Sequence, residues 1–174
     1  MKKILLALAL IAATVTGAAA QSVTSSGSGP NIQFRGTRIT STQSLVSGTI
    51  TKVQLNSIGI DTGSYWDGVN FYYKPLVAGT YQVCGSVYAS GTGISAMEVA
   101  ISKNGTSGSG GTEVADQAVN SISAGQWAVT VPCSLVSMNG SSDTVELDVS
   151  VTATSPVVNA VRSTTQMTAK WVSP

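Results

Sequence analysis

The sequence contains no histidine, and only 10% of its 174 residues are charged. Without imidazole, Ser-His-Asp and Cys-His catalysis, the zinc deaminases and the usual zinc proteases are excluded. No P-loop or GxGxxG motif leads from a strand into a helix, and the glycine-rich stretch 107–111 is typical of a flexible loop. Paired carboxylates would be the only route to an enzyme, and nothing selects a pair among the eight acidic residues. We therefore expect a protein that is not an enzyme.

The N-terminus has a short basic start, Lys2-Lys3, an apolar run, and the small residues Ala18-Ala19-Ala20. This order is typical of a secretory signal peptide, predicted here for residues 1–20. The alternative is a retained membrane anchor, but the strongly apolar run stops near Ala13, short of the roughly 20 residues that a span needs. We expect a secreted or extracytoplasmic protein, bacterial or phage-encoded, with no membrane span after cleavage.

Cleavage would also change the charge balance. Removing Lys2 and Lys3 lowers the positive residues from 9 to 7 against 8 acidic residues, so the net charge becomes −1. A nearly neutral chain without a basic cluster has no electrostatic footprint for nucleic acid. We therefore expect no nucleic-acid partner.

Residues 21–33 are rich in serine and glycine and are interpreted as a flexible lead-in. From residue 34 to residue 174, apolar and polar residues alternate with the period of two that half-buried strands show. The clearest runs cover residues 81–89, 97–102, 127–135 and 145–151. Turn signals separate them at Gly91-Thr92-Gly93, at residues 104–111 and at residues 139–142. This pattern predicts one all-β domain, a two-sheet antiparallel sandwich or jelly roll.

Two cysteines, Cys84 and Cys133, could form a disulfide in an oxidising compartment. The bridge would close a loop of about 50 residues and stabilise the fold by about 4 kcal/mol. Strand parity argues against it, because Cys84 lies opposite the expected core residues Tyr81, Val83 and Val87. Cys133 instead shares a face with three expected core residues, Trp127, Val129 and Leu135. A bulge at Gly85 or Pro132 would remove this conflict, so a bridge and two free thiols both remain open.

The segment 61–81 reads DTGSYWDGVNFYYKPLVAGTY and is the richest in aromatic residues. Phe71, Tyr73 and Tyr81 are large enough to fill a sandwich core, and Gly79 permits a positive φ before a strand. Three residues in a turn-rich context are candidates for an exposed contact: Tyr65, Trp66 and Asp67. The alternative is that the two rings anchor the loop.

The order of these pieces resembles the globular-head domain of complement component 1q, which shares its jelly roll with tumour necrosis factor. Phe34-Arg35-Gly36-Thr37-Arg38 resembles the first strand of that family, and residues 53–61 resemble the next. The central signature is matched by Tyr65, Asp67, Asn70-Phe71, Pro75 and Gly79-Thr80-Tyr81. Weaker matches follow at residues 99–105, 139–147 and 167–172. The resemblance covers residues 34–174 and is closest in character to bacterial and phage members.

This resemblance implies a jelly roll of about ten strands that packs as a homotrimer and binds other molecules. No Gly-x-y repeat precedes the domain, so a collagen stalk is not expected. No cofactor is expected apart from calcium, which some relatives bind. The acidic residues considered for it are Asp61, Asp67, Glu113 and Asp116, all expected in loops. The alternative for these four is a solvated loop acid or a turn cap.

Taken together, the sequence predicts an exported, trimeric, non-enzymatic module for recognition or adhesion, which binds protein or glycan through its loops. One alternative is a structural component of a virion, a fibre or a cell-surface assembly. Another is a β-sandwich hydrolase acting on polysaccharide.

Overall fold

The computed structural model describes residues 29–160 and 164–174. The predicted signal peptide and residues 21–28 of the predicted lead-in lie outside this part of the chain. Ten strands form within it. They are β1 (Gln33–Thr37), β2 (Gln43–Ser44), β3 (Thr51–Lys52), β4 (Ser57–Asp61), β5 (Trp66–Asp67), β6 (Tyr72–Tyr73), β7 (Gly79–Lys103), β8 (Thr112–Met138), β9 (Val145–Val158) and β10 (Gln166–Ser173).

All strand pairs are antiparallel, and the hydrogen-bonded order is β4-β1-β10-β7-β9-β6-β5. Strands β2 and β3 also pair with β9, and β8 pairs with β7 along nearly its whole length. This arrangement confirms the predicted all-β jelly roll of about ten strands. In the described ranges, no helix has the length and apolar character needed to cross a membrane.

The long hairpin of β7 and β8 links the two layers of the sandwich. Residues 80–86 of β7 pair with β10, whereas residues 96–103 pair with β9. Register shifts between Ser90 and Ala96 mark the place where the ribbon passes from one layer to the other. The predicted turn at Gly91-Thr92-Gly93 is therefore wrong, because these residues bend a continuous strand instead of ending one. The turn signals at 104–111 and 139–142 do separate strands, as predicted.

The core lies between the layers and is filled mainly by valine with a few large rings. Tyr73 and Tyr81 are buried as predicted, with 0% and 1% of their surfaces exposed. Phe71 is only half-buried, so its predicted place in the core is wrong. Its φ is +56° and its amide donates to the Asp67 carbonyl oxygen at 2.8 Å, so it reverses the chain between β5 and β6.

A bulge in β8 changes which of its residues face the core. Val83 pairs with Ser134 and Gly85 with Val131, so three steps along β8 match two along β7. The extra residue falls at Pro132-Cys133, which reverses the inward and outward faces there. Val131 is therefore buried before the bulge and Val136 after it.

Two residues that were predicted to face the core are exposed instead. Leu135 follows the bulge and turns outward, with 65% of its surface exposed. Trp127 lies in a run of exposed residues, 125–128, and is itself 40% exposed. Cys133 also lies on the outer face, where a disulfide joins it to Cys84 on the neighbouring strand. The Cα atoms of the two cysteines are 4.2 Å apart.

Candidate functional site

A groove of about 470 Å³, open to solvent, lies along the small hairpin of β5 and β6. We call it the aromatic groove. Its lining residues are Ser64, Tyr65, Trp66, Asp67, Gly68, Tyr72, Lys74 and Leu76. The three residues singled out in the sequence as a possible contact therefore lie together in this groove, all of them half-buried. Its volume falls within the range of about 300–1,000 Å³ that is usual for ligand sites.

Trp66 is the outermost ring of a stack that reaches into the core. Its centroid lies 5.0 Å from that of Phe34, with 19° between the ring planes. Phe34 also stacks on Tyr73, with the ring centroids 4.8 Å apart and 26° between the ring planes. Both inner rings are buried, so the indole is a loop anchor and a groove wall at the same time.

Asp61 fixes the backbone that carries Tyr65 and Trp66. The amide of Tyr65 donates to Asp61 Oδ1 at 3.0 Å, and that of Trp66 donates to Oδ2 at 2.9 Å. A Cβ atom on Gly63 would lie 2.1 Å from Tyr65 Cε2, so the glycine lets the tyrosine ring pack against the turn. The entry to β5 is therefore held by hydrogen bonds and close packing.

Asp67 plays a similar role for the turn that follows. Its Oδ1 accepts hydrogen bonds from the amides of Val69 and Asn70, both at 2.8 Å, and its Oδ2 accepts one from Asn70 Nδ2 at 2.8 Å. The Asn70 side chain first, and then these two amides, lower the pKa of Asp67 to about 2. The hydrogen bond with Asp67 raises the pKa of Tyr72. The Asp67 carboxylate thus stays charged, and donors from its own turn surround it.

Lys74 carries the other charge of the groove. Its amide donates to the Tyr65 carbonyl oxygen at 3.0 Å, which ties the two sides of the groove together. The ion pairs found in the described chain involve Lys52 and Lys103, so the Lys74 ammonium has no carboxylate partner there. Leu76 forms an apolar rim beside it and is 59% exposed.

A buried polar cluster lies next to the groove, on the outer face of β9. Lys52 Nζ is 2.6 Å from Glu146 Oε2, donates a hydrogen bond to the Asn70 carbonyl oxygen at 3.1 Å, and lies 5.6 Å from the Tyr72 ring centroid. The Ser107 amide donates to Asp148 Oδ2 at 2.9 Å. Burial, with a further contribution from Glu146, raises the pKa of Asp148 to about 6. This cluster fastens the 104–111 loop to the sheet.

The four acids considered for calcium are placed differently from the expectation. Asp61 and Asp67 act as turn caps, the alternative left open by the sequence. Glu113 and Asp116 lie within β8, so their predicted loop position is wrong. Over the part of the chain that the structure describes, no group of three or more His, Cys, Asp or Glu side chains is placed to hold a metal ion.

Sequence reasoning missed Tyr72, Lys74 and Leu76 as groove residues. A signal for the first two was present, because strand residues on either side of a buried position point outward. Once Tyr73 is assigned to the core, Tyr72 follows as its outward neighbour in β6, and so does Lys74, the residue directly after the strand, whose amide still pairs with Tyr65. Leu76 lies further along, after Pro75, where no period applies.

No protein-family model and no curated protein matches the sequence. Solved structures do match its fold. Murine APRIL at pH 5.0 is 10% identical, with a TM-score of 0.61 over 82% of this chain and 100% of that one. Eiger TNF from S. frugiperda is 11% identical, with a TM-score of 0.64 over 83% and 94% of the two chains. The globular domain of zebrafish complement 1qA is 12% identical, with a TM-score of 0.55 over 82% and 98%.

These matches confirm the resemblance at the level of fold: the chain has the jelly roll of tumour necrosis factor and the complement 1q head. The closeness to bacterial and phage members stays a prediction.

Proposed function

We propose that this chain is an exported, non-enzymatic recognition module that works as a homotrimer and binds its ligand in the aromatic groove. The groove itself is the observation that carries the proposal. It combines three aromatic side chains, an apolar rim and one lysine that has no carboxylate partner among the described residues. Such a mixture of flat apolar surface and few polar groups is typical of ligand sites.

The proposal is tested by screening the purified protein on glycan and protein arrays with matched surface variants. Leu76→Glu places a charge on the groove rim, whereas Val69→Glu places one at a site outside the groove that is 82% exposed. A ligand of the groove should lose binding to the Leu76 variant and keep binding to the Val69 variant. Ligands that bind all three proteins equally would show that the groove is not the site.

The trimer is supported by the outer face of the layer that contains β4, β1, β10 and the first part of β7. Ile60 of β4 is exposed on this face, as is Leu135 of β8, which pairs with that part of β7; both would be buried against a neighbouring copy. Light scattering at micromolar concentration should give three times the monomer mass, and Leu135→Lys should lower it. A wild-type protein that runs as a monomer would contradict this part of the proposal.

Export is supported by the leader-like residues 1–20. Mass spectrometry of the protein from its native source, without reductant, should give a chain that begins at Gln21 and is lighter by two hydrogens. An intact N-terminus on the native protein would contradict cleavage.

A further inference from the structure

We infer that the aromatic groove binds an acidic sugar unit of a polysaccharide, whose ring stacks on Trp66 and whose carboxylate pairs with Lys74. The inference rests on the proposed function and names the ligand class of the same site.

The Trp66 ring is a preformed flat platform. Phe34 covers one of its faces and is the ring that stacks on it among the described residues. The indole also lines the groove, and in this inference the ligand contacts the face opposite Phe34. The buried rings behind it prevent it from tilting, so little conformational entropy is lost when a ligand binds. A pyranose ring presents a face of C–H groups that matches such a surface in shape and polarity.

Of the two charged groups in the groove, Asp67 and Lys74, the lysine is the one whose side chain has no partner in the described chain, and a cation favours an anion. Both oxygens of Asp67 already accept hydrogen bonds from Val69 and Asn70. The Lys74 ammonium has no such partner in the described chain, although its backbone is fixed by the hydrogen bond to Tyr65. A carboxylate on the ligand would give this cation a charge-assisted hydrogen bond. A sugar acid supplies the flat ring and the carboxylate in one unit.

The backbone around the groove argues for a sugar over an acidic peptide. A peptide that binds by adding a strand needs free backbone amides at a sheet edge. Here the amides are already used within the chain: those of Tyr65, Trp66, Val69, Asn70 and Lys74 all have acceptors. These five amides are not available to pair with an added strand, which favours recognition by side chains, as a stacked and charge-paired sugar allows.

The test is calorimetric titration of the purified protein with trigalacturonic acid and, separately, with its methyl ester. The ester keeps the sugar rings and removes the charges. We expect the acid to bind roughly tenfold more tightly than the ester, the size of one charge-assisted hydrogen bond. Lys74→Gln should abolish this preference, so that the variant binds the acid no more tightly than the ester. The matched control Lys170→Gln removes another exposed lysine, on β10, and should change nothing.

Trp66→Ala should weaken both probes by about tenfold or more, the loss expected from one stacking contact. Because Trp66 also packs on Phe34, the thermal unfolding of the Trp66→Ala variant is measured together with its binding. Lys74→Gln tests the inference independently of folding. Equal binding of acid and ester by the wild type would overturn the acidic class. A Lys74-dependent affinity for poly-glutamate with none for sugars would overturn the sugar class, and the recognition function would stand. No groove-dependent ligand in any screen would overturn both.

Discussion

Cys84 and Cys133 lie on the same outer face of neighbouring strands because β8 carries one more residue than β7 between Val83 and Gly85. Without that bulge, the side chains at these two positions would point to opposite faces of the sheet. The bulge contains Pro132, which has no amide hydrogen for the strand ladder, on a strand whose other side has no partner in the described sheet. The proline and the pairing of the cysteines are thus two consequences of one local irregularity.

The disulfide should contribute a large part of the stability of the fold. It links residues 49 positions apart in the sequence. In the chain-entropy model, a loop of that length corresponds to about 4 kcal/mol. Replacing both cysteines by serine should lower the free energy of unfolding in urea by about that amount, and reduced wild type should behave like the double variant. An unchanged urea midpoint after reduction would show that the loop closure contributes nothing.

Gly79 and Gly93 both have positive φ, +140° and +65°, but only Gly79 is enclosed. A Cβ at Gly79 would lie 2.4 Å from Trp171 Nε1 and 2.5 Å from the Ser173 carbonyl oxygen, whereas one at Gly93 would meet nothing within 4 Å. Gly79→Ala should therefore cost about 3 kcal/mol or more, from overpacking as well as strain, and Gly93→Ala about 1 kcal/mol, from strain alone. Thermal unfolding of the two variants measures the difference. Equal losses would mean that strain, and not crowding, governs both sites.

The parts of the fold that depend on strand period and turn residues could be predicted from the sequence, since both are local. Tyr73, Tyr81 and the turns at 104–111 and 139–142 belong to this group. Leu135 could not be placed, because one inserted residue in β8 reverses the facing of every residue that follows it. Trp127 precedes the bulge, and its exposure depends on what packs over that end of the strand. A bulge of this kind depends on pairing with a distant strand, which a single sequence does not display.

The same holds for the candidate site: features with a local signal in the sequence could be predicted, and features that depend on distant contacts could not. Tyr65, Trp66 and Asp67 could be proposed from their turn-rich context, and the structure places them in one groove. The stacking of Trp66 on Phe34 joins residues 32 positions apart and has no local signal. Phe71 was misplaced because its ring suggested the core, whereas its backbone makes the turn that Asp67 holds.

Asp148 should make the stability of the protein depend on pH between about 4 and 6. Burial raises its pKa from the usual 3.8 to about 6, so the folded protein binds a proton more tightly there than the unfolded chain does. The stability that comes from this tighter proton binding is fully present below pH 4 and is lost as the pH rises through 6. Two pKa units correspond to at most about 3 kcal/mol.

Urea unfolding of the wild type at pH 4 and pH 7 measures the change, with Asp148→Asn as the variant that cannot titrate at this position. The wild type should lose more stability than the variant as the pH rises. The elevated pKa of Glu98 acts in the same direction but is common to both proteins. Parallel pH profiles would show that Asp148 titrates normally in the fold.

The ion pair between Lys52 and Glu146 should matter more than that between Lys103 and Asp143. Glu146 is only 1% exposed, so removing Lys52 leaves a buried carboxylate with no cation beside it. Lys52→Met should therefore cost about 3–5 kcal/mol. Asp143 is less buried and keeps the Asn104 side chain and the Asn139 amide as donors, so Lys103→Met should cost about 1 kcal/mol or less.

Adding Glu146→Gln to Lys52→Met should restore most of the lost stability, because the neutral amide no longer needs a counter-charge while it can still accept from Thr106. Chemical denaturation of the two single variants and the double variant measures this coupling directly. If the double variant is as unstable as Lys52→Met alone, then the lysine acts through its aliphatic packing and its contacts with Asn70 and Tyr72, not through its ion pair with Glu146.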